Sequence, residues 1–251
     1  MADDPGIAEL RQMIEEAQRI VFFTGAGIST ESGIPDFRSP GGIWTKMKPI
    51  DFSAFMASDE ARRETWRRRL ATDETMRRAE PNRGHRAIAT LVSRGKASAV
   101  ITQNIDGLHQ ASGVAASRVI ELHGNTTYAH CLNCQLRYEI LDIRAEFERT
   151  GEAPCCTSCG GFVKTATVSF GQSMPPAAMI RAEEETLAAD LFITIGSSLV
   201  VYPAAGFPEL AVRNGSRLVI INREQTGLDP YADLVLHREI GVTLGEAVGN
   251  N

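Results

Sequence analysis

What the chain lacks bounds it first. No apolar run approaches the roughly 20 residues that a membrane-spanning helix needs, so no membrane association is expected. The opening MADDPG has no basic stretch followed by an apolar one, so no secretory leader is read there and a soluble, cytoplasmic protein is expected. Positive charge is not in excess: 26 Lys and Arg stand against 31 Asp and Glu, for a net charge of −5 and a pI of about 5.6. A bulk electrostatic grip on nucleic acid needs a basic face, so direct nucleic-acid binding is not expected; an acidic chain leans instead towards basic polypeptide partners. Cysteine is missing from most of the chain, and all five lie between Cys131 and Cys159. Such clustering in a reducing compartment reads as metal ligation rather than disulfide bonding. No internal repeat or low-complexity segment is present, and nothing specifies an oligomer, so a monomer is favoured.

What is present fits one large domain carrying inserted modules: 251 residues, 43% of them hydrophobic. Asp4 before Pro5 reads as a helix N-cap with proline at the first helical position, and Ile7, Leu10, Ile14 and Ala17 mark one apolar face. The run Ile20-Val21-Phe22-Phe23 reads as a buried strand. Further strands are expected at 99–102, 118–122, 191–195, 218–221 and 232–236, with helical stretches between several of them. The alternation predicts an α/β fold: a Rossmann-like, doubly wound parallel sheet with helices on both faces. Residues 33–83, with five Pro or Gly between 35 and 49 and then a charged stretch, predict a long loop followed by helices that cover the sheet. Residues 84–94 predict a helix stopped at Gly95. The expected layout is a single catalytic domain over 1–251. Its core covers about 1–32, 82–125 and 163–251, with a helical module at about 33–81 and a cysteine module at about 126–162.

Five of the six predicted strands are followed by small or polar groups: Thr24-Gly25-Ala26-Gly27, Gln103-Asn104-Ile105-Asp106, His123-Gly124-Asn125, Gly196-Ser197-Ser198 and Asn222-Arg223-Glu224. In open parallel sheets the carboxyl ends of the strands are where ligands bind. Glycines after the first strand let backbone approach a pyrophosphate and offer it N–H groups. The dehydrogenase fingerprint fails, however. Thr30 stands where its third glycine belongs, and no second strand with a terminal acidic residue follows. A nucleotide held in another pose is expected. Downstream, Cys131-x-x-Cys134 and Cys156-x-x-Cys159 are two knuckles at a spacing that reads as a closed tetrahedral zinc site of structural type. The Gly-Gly after Cys159 favours Cys156 over Cys155 as the third ligand. A zinc ribbon for nucleic acid is disfavoured, because five acidic residues outnumber Arg137, Arg144 and Arg149 there.

The ordered set GAGIST, SGIPDFR, GIW, TQNIDGLH, ELHGN, FG, GSSLVVYPA and VIIN, together with the cysteine pairs, resembles the sirtuin family from about residue 20 to 240. The resemblance implies an NAD-dependent protein lysine deacylase that moves an acyl group from lysine to ADP-ribose and releases nicotinamide. NAD would be the co-substrate and one zinc ion structural. It implies that Gly25, Ala26, Gly27 and Arg38 hold the phosphates and that Phe37 covers the nicotinamide side. Gln103 and Asn104 would contact the nicotinamide ribose, with Ile105 and Asp106 lining the nicotinamide pocket. The adenosine end would fall to Gly196, Ser197, Ser198, Asn222, Arg223 and Glu224, with Ile240 against adenine, while Thr30, Asp36 and Trp44 complete the cofactor set. His123 would be the general base, catalytic together with Asn104; histidine titrates near neutral pH and can activate a ribose hydroxyl. An acyl-lysine peptide would add as an extended strand between Val168, Phe170 and Gly171 on one side and Leu199 and Val200 on the other. His85, His109, His130 and His237 are read as ordinary structural histidines.

Alternatives from other classes are a mono-ADP-ribosyltransferase on the same fold and a non-enzymatic NAD or ADP-ribose sensor, the latter disfavoured by His123 and Asn104. Three departures from the family pattern stand out: Gln172 where relatives carry an acid, Lys164-Thr165-Ala166-Thr167 in place of a proline-containing stretch, and no Tyr-x-x-Arg reader of acidic acyl groups. Trp66 and Arg69 occupy that last region, and the run Arg67-Arg68-Arg69 is read as a solvated helix face. The missing tyrosine predicts a preference for short neutral acyl groups. Steady-state assays on matched peptides should give a higher kcat/KM for acetyl-lysine than for succinyl-lysine, and the reverse order would sink that expectation.

Overall fold

The apolar runs become parallel strands whose side chains alternate between two cores. In the computed structural model, which describes residues 4–36, 42 and 47–249, six strands form one sheet: β1 (Ile20–Thr24), β2 (Ala97–Thr102), β3 (Val119–Glu121), β7 (Leu191–Ile195), β8 (Arg217–Ile221) and β9 (Leu234–Leu236). The order is β3-β2-β1-β7-β8-β9, and each adjacent pair is parallel. Ile20 and Phe22 of β1 enter one core with Ile193 and Val219; Val21 and Phe23 enter the other with Phe192 and Ile220. Burial on both faces is why these strands read as unbroken apolar runs. The last strand begins two residues later than expected. Asp233 ties itself to β8 through its side chain, which accepts from the Leu218 amide at 2.8 Å, and through its own amide, which donates to the Leu218 carbonyl.

Helices cover both faces. On one side lie α1 (Pro5–Glu16), α4 (Arg83–Ser93) and α9 (Ile240–Val248). Asp4 caps α1, its carboxylate accepting from the amides of Gly6 and Ile7 at 2.9 and 3.4 Å. Asn82 caps α4, and Gly95 follows its end in the left-handed region at φ 73°. On the other side lie α7 (Pro176–Ala188) and α8 (Gly206–Arg213). Between β2 and β3 sits the short α5 (Leu108–Ala111). No helix among the described residues is long and apolar enough to cross a membrane.

A second, antiparallel sheet has the order β5-β4-β6, from β4 (Gly124–Cys131), β5 (Arg137–Glu139) and β6 (Val163–Thr167). Its central strand β4 and edge strand β6 reach past the expected 126–162 on both sides, because they pair at Cys131↔Val163 and again at Gly124↔Thr167. Packed with it are α3 (Asp59–Arg78) and α6 (Ile140–Thr150), around a third core containing Trp66, Leu70, Ala129, Ile143 and Val163, while α2 (Phe52–Ala57) is tied to α3 by Arg62, which donates to the Phe55 carbonyl at 2.8 Å. The Trp66 indole donates to the Val163 carbonyl at 3.1 Å.

The arginine run of α3 is not uniformly solvated. The Arg67 side chain is 57% exposed but that of Arg69 only 10%, turned inward onto Asp73 at 2.8 Å and the Thr126 carbonyl at 2.7 Å. Asp73 also receives Arg144 of α6 at 3.0 Å. Burial pushes the Asp73 carboxyl up, and the hydrogen bonds from Arg69 and Arg144 outweigh it and hold the pKa below its ordinary value. Its stabilisation is therefore complete above the unfolded pKa of about 3.9 and is lost as pH falls through the lower folded value. Asp73→Ala leaves the nearly buried Arg69 charge with only the Thr126 carbonyl as partner and deprives Arg144 of one of its two carboxylates, and should cost about 3 kcal/mol in urea unfolding near neutral pH. A loss below about 1 kcal/mol would equate this network with an exposed ion pair.

Candidate functional site

Strands β1 and β7 are neighbours whose outgoing connections lead to opposite halves of the sheet, which makes their carboxyl ends a topological switch point. The turns after them meet backbone to backbone. A Cβ on Gly25 would lie 2.6 Å from the Gly196 carbonyl oxygen, and one on Gly27 would lie 2.7 Å from the Gly196 Cα. Gly196 itself sits at φ 60°. The Gly25 amide donates to the Ile195 carbonyl at 2.9 Å and the Gly27 amide to the Gly196 carbonyl at 2.8 Å. These two N–H groups thus join the halves of the sheet instead of pointing at a phosphate, contrary to the expectation from the glycine spacing alone. A short 3-10 helix, Ala26–Ser32, follows.

A cavity of about 460 Å³ opens over this junction. Gly25, Ala26, Gly27, Thr30 and Asp36 line it from the β1 side. Gln103, Asn104 and Ile105 line it after β2, with His123 after β3. Gly196, Ser197 and Ser198 follow β7; Asn222, Arg223 and Glu224 follow β8; Ile240 closes the far end. Val168, Phe170 and Gly171 border the opposite rim.

Three expected residues fall elsewhere. Asp106 lies behind the wall, where its carboxylate accepts from the Ser29 hydroxyl at 2.7 Å and the Leu108 amide at 2.9 Å. Leu199 is buried in the core beneath, at φ 55°, and Val200 faces outward, 59% exposed. The cavity is instead bordered by the next residues, Val201, Tyr202 and Pro203. Phe37, Arg38 and Trp44 lie outside the described residues.

Hydrogen bonds fix the polar wall. The Asn104 side-chain amide donates to the Gly25 carbonyl at 3.1 Å and to the Ser29 hydroxyl at 3.2 Å. Gln103 donates to the Ser197 hydroxyl at 2.8 Å. His123 Nδ1 lies 3.0 Å from the Gln103 carbonyl oxygen. A carbonyl only accepts, so Nδ1 carries the proton and Nε2 is the basic nitrogen of the neutral ring. Desolvation raises the Asp106 pKa above its ordinary value, against the hydrogen bonds from Leu108 and Ser29.

Glu31 and Glu239 also line the cavity and were not anticipated. Glu239 pairs with the expected Arg223 through two contacts at 2.9 and 2.6 Å. Glu31 accepts from the Gly241 amide at 2.8 Å, at the start of α9. Gln172 accepts from the Ser169 amide at 3.1 Å, so an amide oxygen performs the turn-closing task open to a carboxylate. Tyr202 lay inside the motif GSSLVVYPA without being named for the site, whereas no local pattern marked Glu31 or Glu239.

In the small sheet, the Sγ atoms of Cys131, Cys134, Cys156 and Cys159 all lie within 4.8 Å of one another. Thiolates about 2.3 Å from a tetrahedral zinc stand about 3.8 Å apart, so the donor set fits a closed, structural zinc site. The Tyr138 hydroxyl donates to Cys156 at 3.2 Å, and that contact leads the pull of the Cys156 thiol down to about 6. Cys155 is exposed and outside the cluster, its backbone bridged to Phe162.

Comparison with known proteins agrees with this architecture. The Sir2 family profile matches residues 25–203. The NAD-dependent protein deacetylase of Rhodopseudomonas palustris is 61% identical over 245 residues, covering 98% of this chain and 97% of the relative. A Sir2 structure with a p53 peptide and NAD+ superposes with a TM-score of 0.87 at 37% identity over 95% of each chain. Another, with a deacetylated p53 peptide and 3'-O-acetyl ADP-ribose, gives a TM-score of 0.88 at 36% identity over 97% of each. The residues that join the sheet halves, the wall over the switch point and the four-cysteine cluster thus lie in a chain that belongs to the Sir2 family.

Proposed function

We propose that this chain is an NAD-dependent protein lysine deacetylase and that its cavity residues divide the work as follows. The observation that carries the assignment is the meeting in one cavity of Asn104, locked to the Gly25 turn, and His123, whose tautomer is set by the Gln103 carbonyl. NAD supplies an electrophilic sugar carbon when its nicotinamide bond breaks and carries the acyl group away as O-acyl-ADP-ribose. Asn104 and Gln103 orient the nicotinamide ribose, and Ile105 with the Ser29–Asp106 pair shapes the nicotinamide pocket and excludes water. Asp106 acts from behind, by holding Ser29. His123 Nε2 takes the proton from a ribose hydroxyl. Ser197, Ser198, Asn222 and Glu224 hold the adenosine end, with Ile240 against the base. Phe37, Arg38 and Trp44 belong to the cofactor loop in this assignment.

The peptide lies between Val168–Gly171 and the Val201–Tyr202 segment. Support comes from exposed apolar side chains at that mouth: Phe170 is 42% and Tyr202 64% exposed. Arg69 is bound to Asp73 and Thr126, so it does not reach out as a reader of acidic acyl groups, which favours short neutral ones. The site is assigned to the cytoplasm, where the thiolates of the cysteine cluster stay reduced. The chain functions as one catalytic unit in which the end of β6 and the segment after it, Thr167–Gln172, form one wall of the cavity.

Incubation with an acetyl-lysine peptide, with and without NAD, should give deacetylation only with NAD, read by mass spectrometry together with nicotinamide and O-acetyl-ADP-ribose. ADP-ribose appearing on protein would instead assign a transferase. His123→Ala should lower turnover by about 100- to 10,000-fold; near-normal turnover in a folded variant would falsify its role as base. Cys134→Ser should abolish stoichiometric zinc by atomic absorption and lower the melting temperature. A metal-free wild-type protein, with a variant melting at the same temperature, would refute the structural zinc.

A further inference from the structure

Behind Asn104 a run of buried polar groups leads away from the cavity to the start of α4. The Asn104 backbone amide donates to Thr102 Oγ1 at 3.0 Å, and Thr24 Oγ1 donates to the same oxygen at 2.8 Å. His109 Nε2 lies 2.8 Å from Thr24 Oγ1. The single Thr24 hydroxyl proton is committed to Thr102, so His109 Nε2 is the donor in that contact. The neutral His109 ring therefore presents a lone pair at Nδ1. At the other end of the run, the Asn82 amide donates to His85 Nδ1 at 3.4 Å, within the capping box of α4. His85 then carries its proton on Nε2.

Both rings are buried, at 0% and 2% exposure, and burial keeps both neutral, with the His85 pKa lowered to about 4. Their centroids stand 5.0 Å apart. His85 Nε2 and His109 Nδ1 are both fully buried and lack a protein partner among the described residues. The network has made one of them a donor and the other an acceptor. Buried polar atoms are rarely left unpaired, since each costs about 1–3 kcal/mol. A buried water is the usual partner where two such groups stand near each other.

We propose that one buried water accepts from His85 Nε2 and donates to His109 Nδ1, and that His85 and His109 are thereby positioning residues for Asn104. The second half rests on the assignment of Asn104 as the ribose-orienting residue. With the water in place, an unbroken chain runs from the Asn82 amide through both histidines, Thr24 and Thr102 to the Asn104 amide. Each link fixes the proton direction of the next. Without the His109 donor, the Thr24 hydroxyl can turn its proton away from Thr102, and the rear anchor of Asn104 loosens. The front anchors, Gly25 and Ser29, then hold the side chain alone.

The test is made on the full chain. Long-range 1H–15N spectra of histidine-labelled protein near neutral pH should show both buried rings neutral with the proton on Nε2, and a high-resolution crystal structure should show one water between them. An Nδ1–H tautomer on either ring, or no water between them, would overturn the bridge. His109→Leu should lower the rate of nicotinamide release about tenfold, the loss of one hydrogen bond, with the peptide KM within about twofold. His109→Gln, whose amide can still donate to Thr24, should recover most of that rate. A folded Leu variant at full rate would overturn the positioning role, while the spectra decide the bridge if that variant does not fold. Asn104→Ala separates the two layers. Full nicotinamide release there would overturn the assignment of Asn104, and with it the positioning role, leaving the bridge to the spectra and the crystal structure.

Discussion

The contact on which the site depends is the seating of the Gly25–Gly27 turn against Gly196. Two parallel strands that begin in different halves of the chain must end at the same level, and their exits must then diverge. With any side chain at Gly25 or Gly27, a Cβ would lie inside 3 Å of the facing backbone. The turns would separate, and the amides that now join Ile195 and Gly196 to the β1 turn would lose their partners. Glycine is thus required for one backbone to approach another, and the cavity is what remains above that junction. Asn104 and Gln103 are held to the same two turns, through the Gly25 carbonyl and the Ser197 hydroxyl, so the polar wall inherits its position from the glycine contact.

How the sequence disclosed this can be followed residue by residue. Strands buried on both faces, such as Ile20–Thr24 and Leu191–Ile195, were legible because such burial leaves an uninterrupted apolar run that no loop imitates. The polar carboxyl ends of the strands were legible as a set for the same reason: several loops of like character exceed what turns alone require. The eight-residue strand Gly124–Cys131 was not legible. It carries Asn125, Thr126, Thr127, Tyr128 and His130, without an alternating pattern, and its conformation is imposed by its partners β5 and β6. Nor was the inward turn of Arg69: Asp73 lies one turn on in the same helix, but Thr126 and, through Asp73, Arg144 come from separate segments. Within the site, residues in ordered motifs could be named in advance. Glu31 and Glu239 could not, because each lines the cavity through a contact with a distant segment: Glu31 with the Gly241 amide, Glu239 with Arg223.

The polar groups behind the cavity obey a stricter rule than the apolar ones. Leu and Ile in the cores tolerate exchange at modest cost, since volume is the main constraint. Thr24, Thr102 and Asn104 cannot be exchanged one at a time, because each proton direction is set by its neighbour. Buried Thr24 and Thr102 at the ends of adjacent strands therefore say more about the site than their modest polarity suggests. They convert the sheet register, Thr24↔Thr102, into a fixed position for Asn104, two residues beyond Thr102.

The four-cysteine cluster belongs to the same argument through one strand. His123 immediately precedes β4, and Cys131 ends it, so one strand, irregular between Gly124 and Ala129, joins the candidate base to a zinc ligand. At the near end Gly124 holds φ 75°, with the Ala166 carbonyl oxygen only 1.9 Å from where a Cβ would stand. The Val168 amide donates to the His123 carbonyl at 2.8 Å, and Val168 itself borders the cavity. At the far end Cys131 pairs with Val163, which receives the Trp66 indole. Metal binding at Cys131 would close the loops that keep β4 and β6 in register. Loss of the metal would then release the ladder at one end and, at the other, the pairing of Gly124 with Thr167 that sets the backbone beside His123. A closed four-cysteine site leaves a metal no open position for chemistry, yet the position of the candidate base would depend on the strand that such a metal secures.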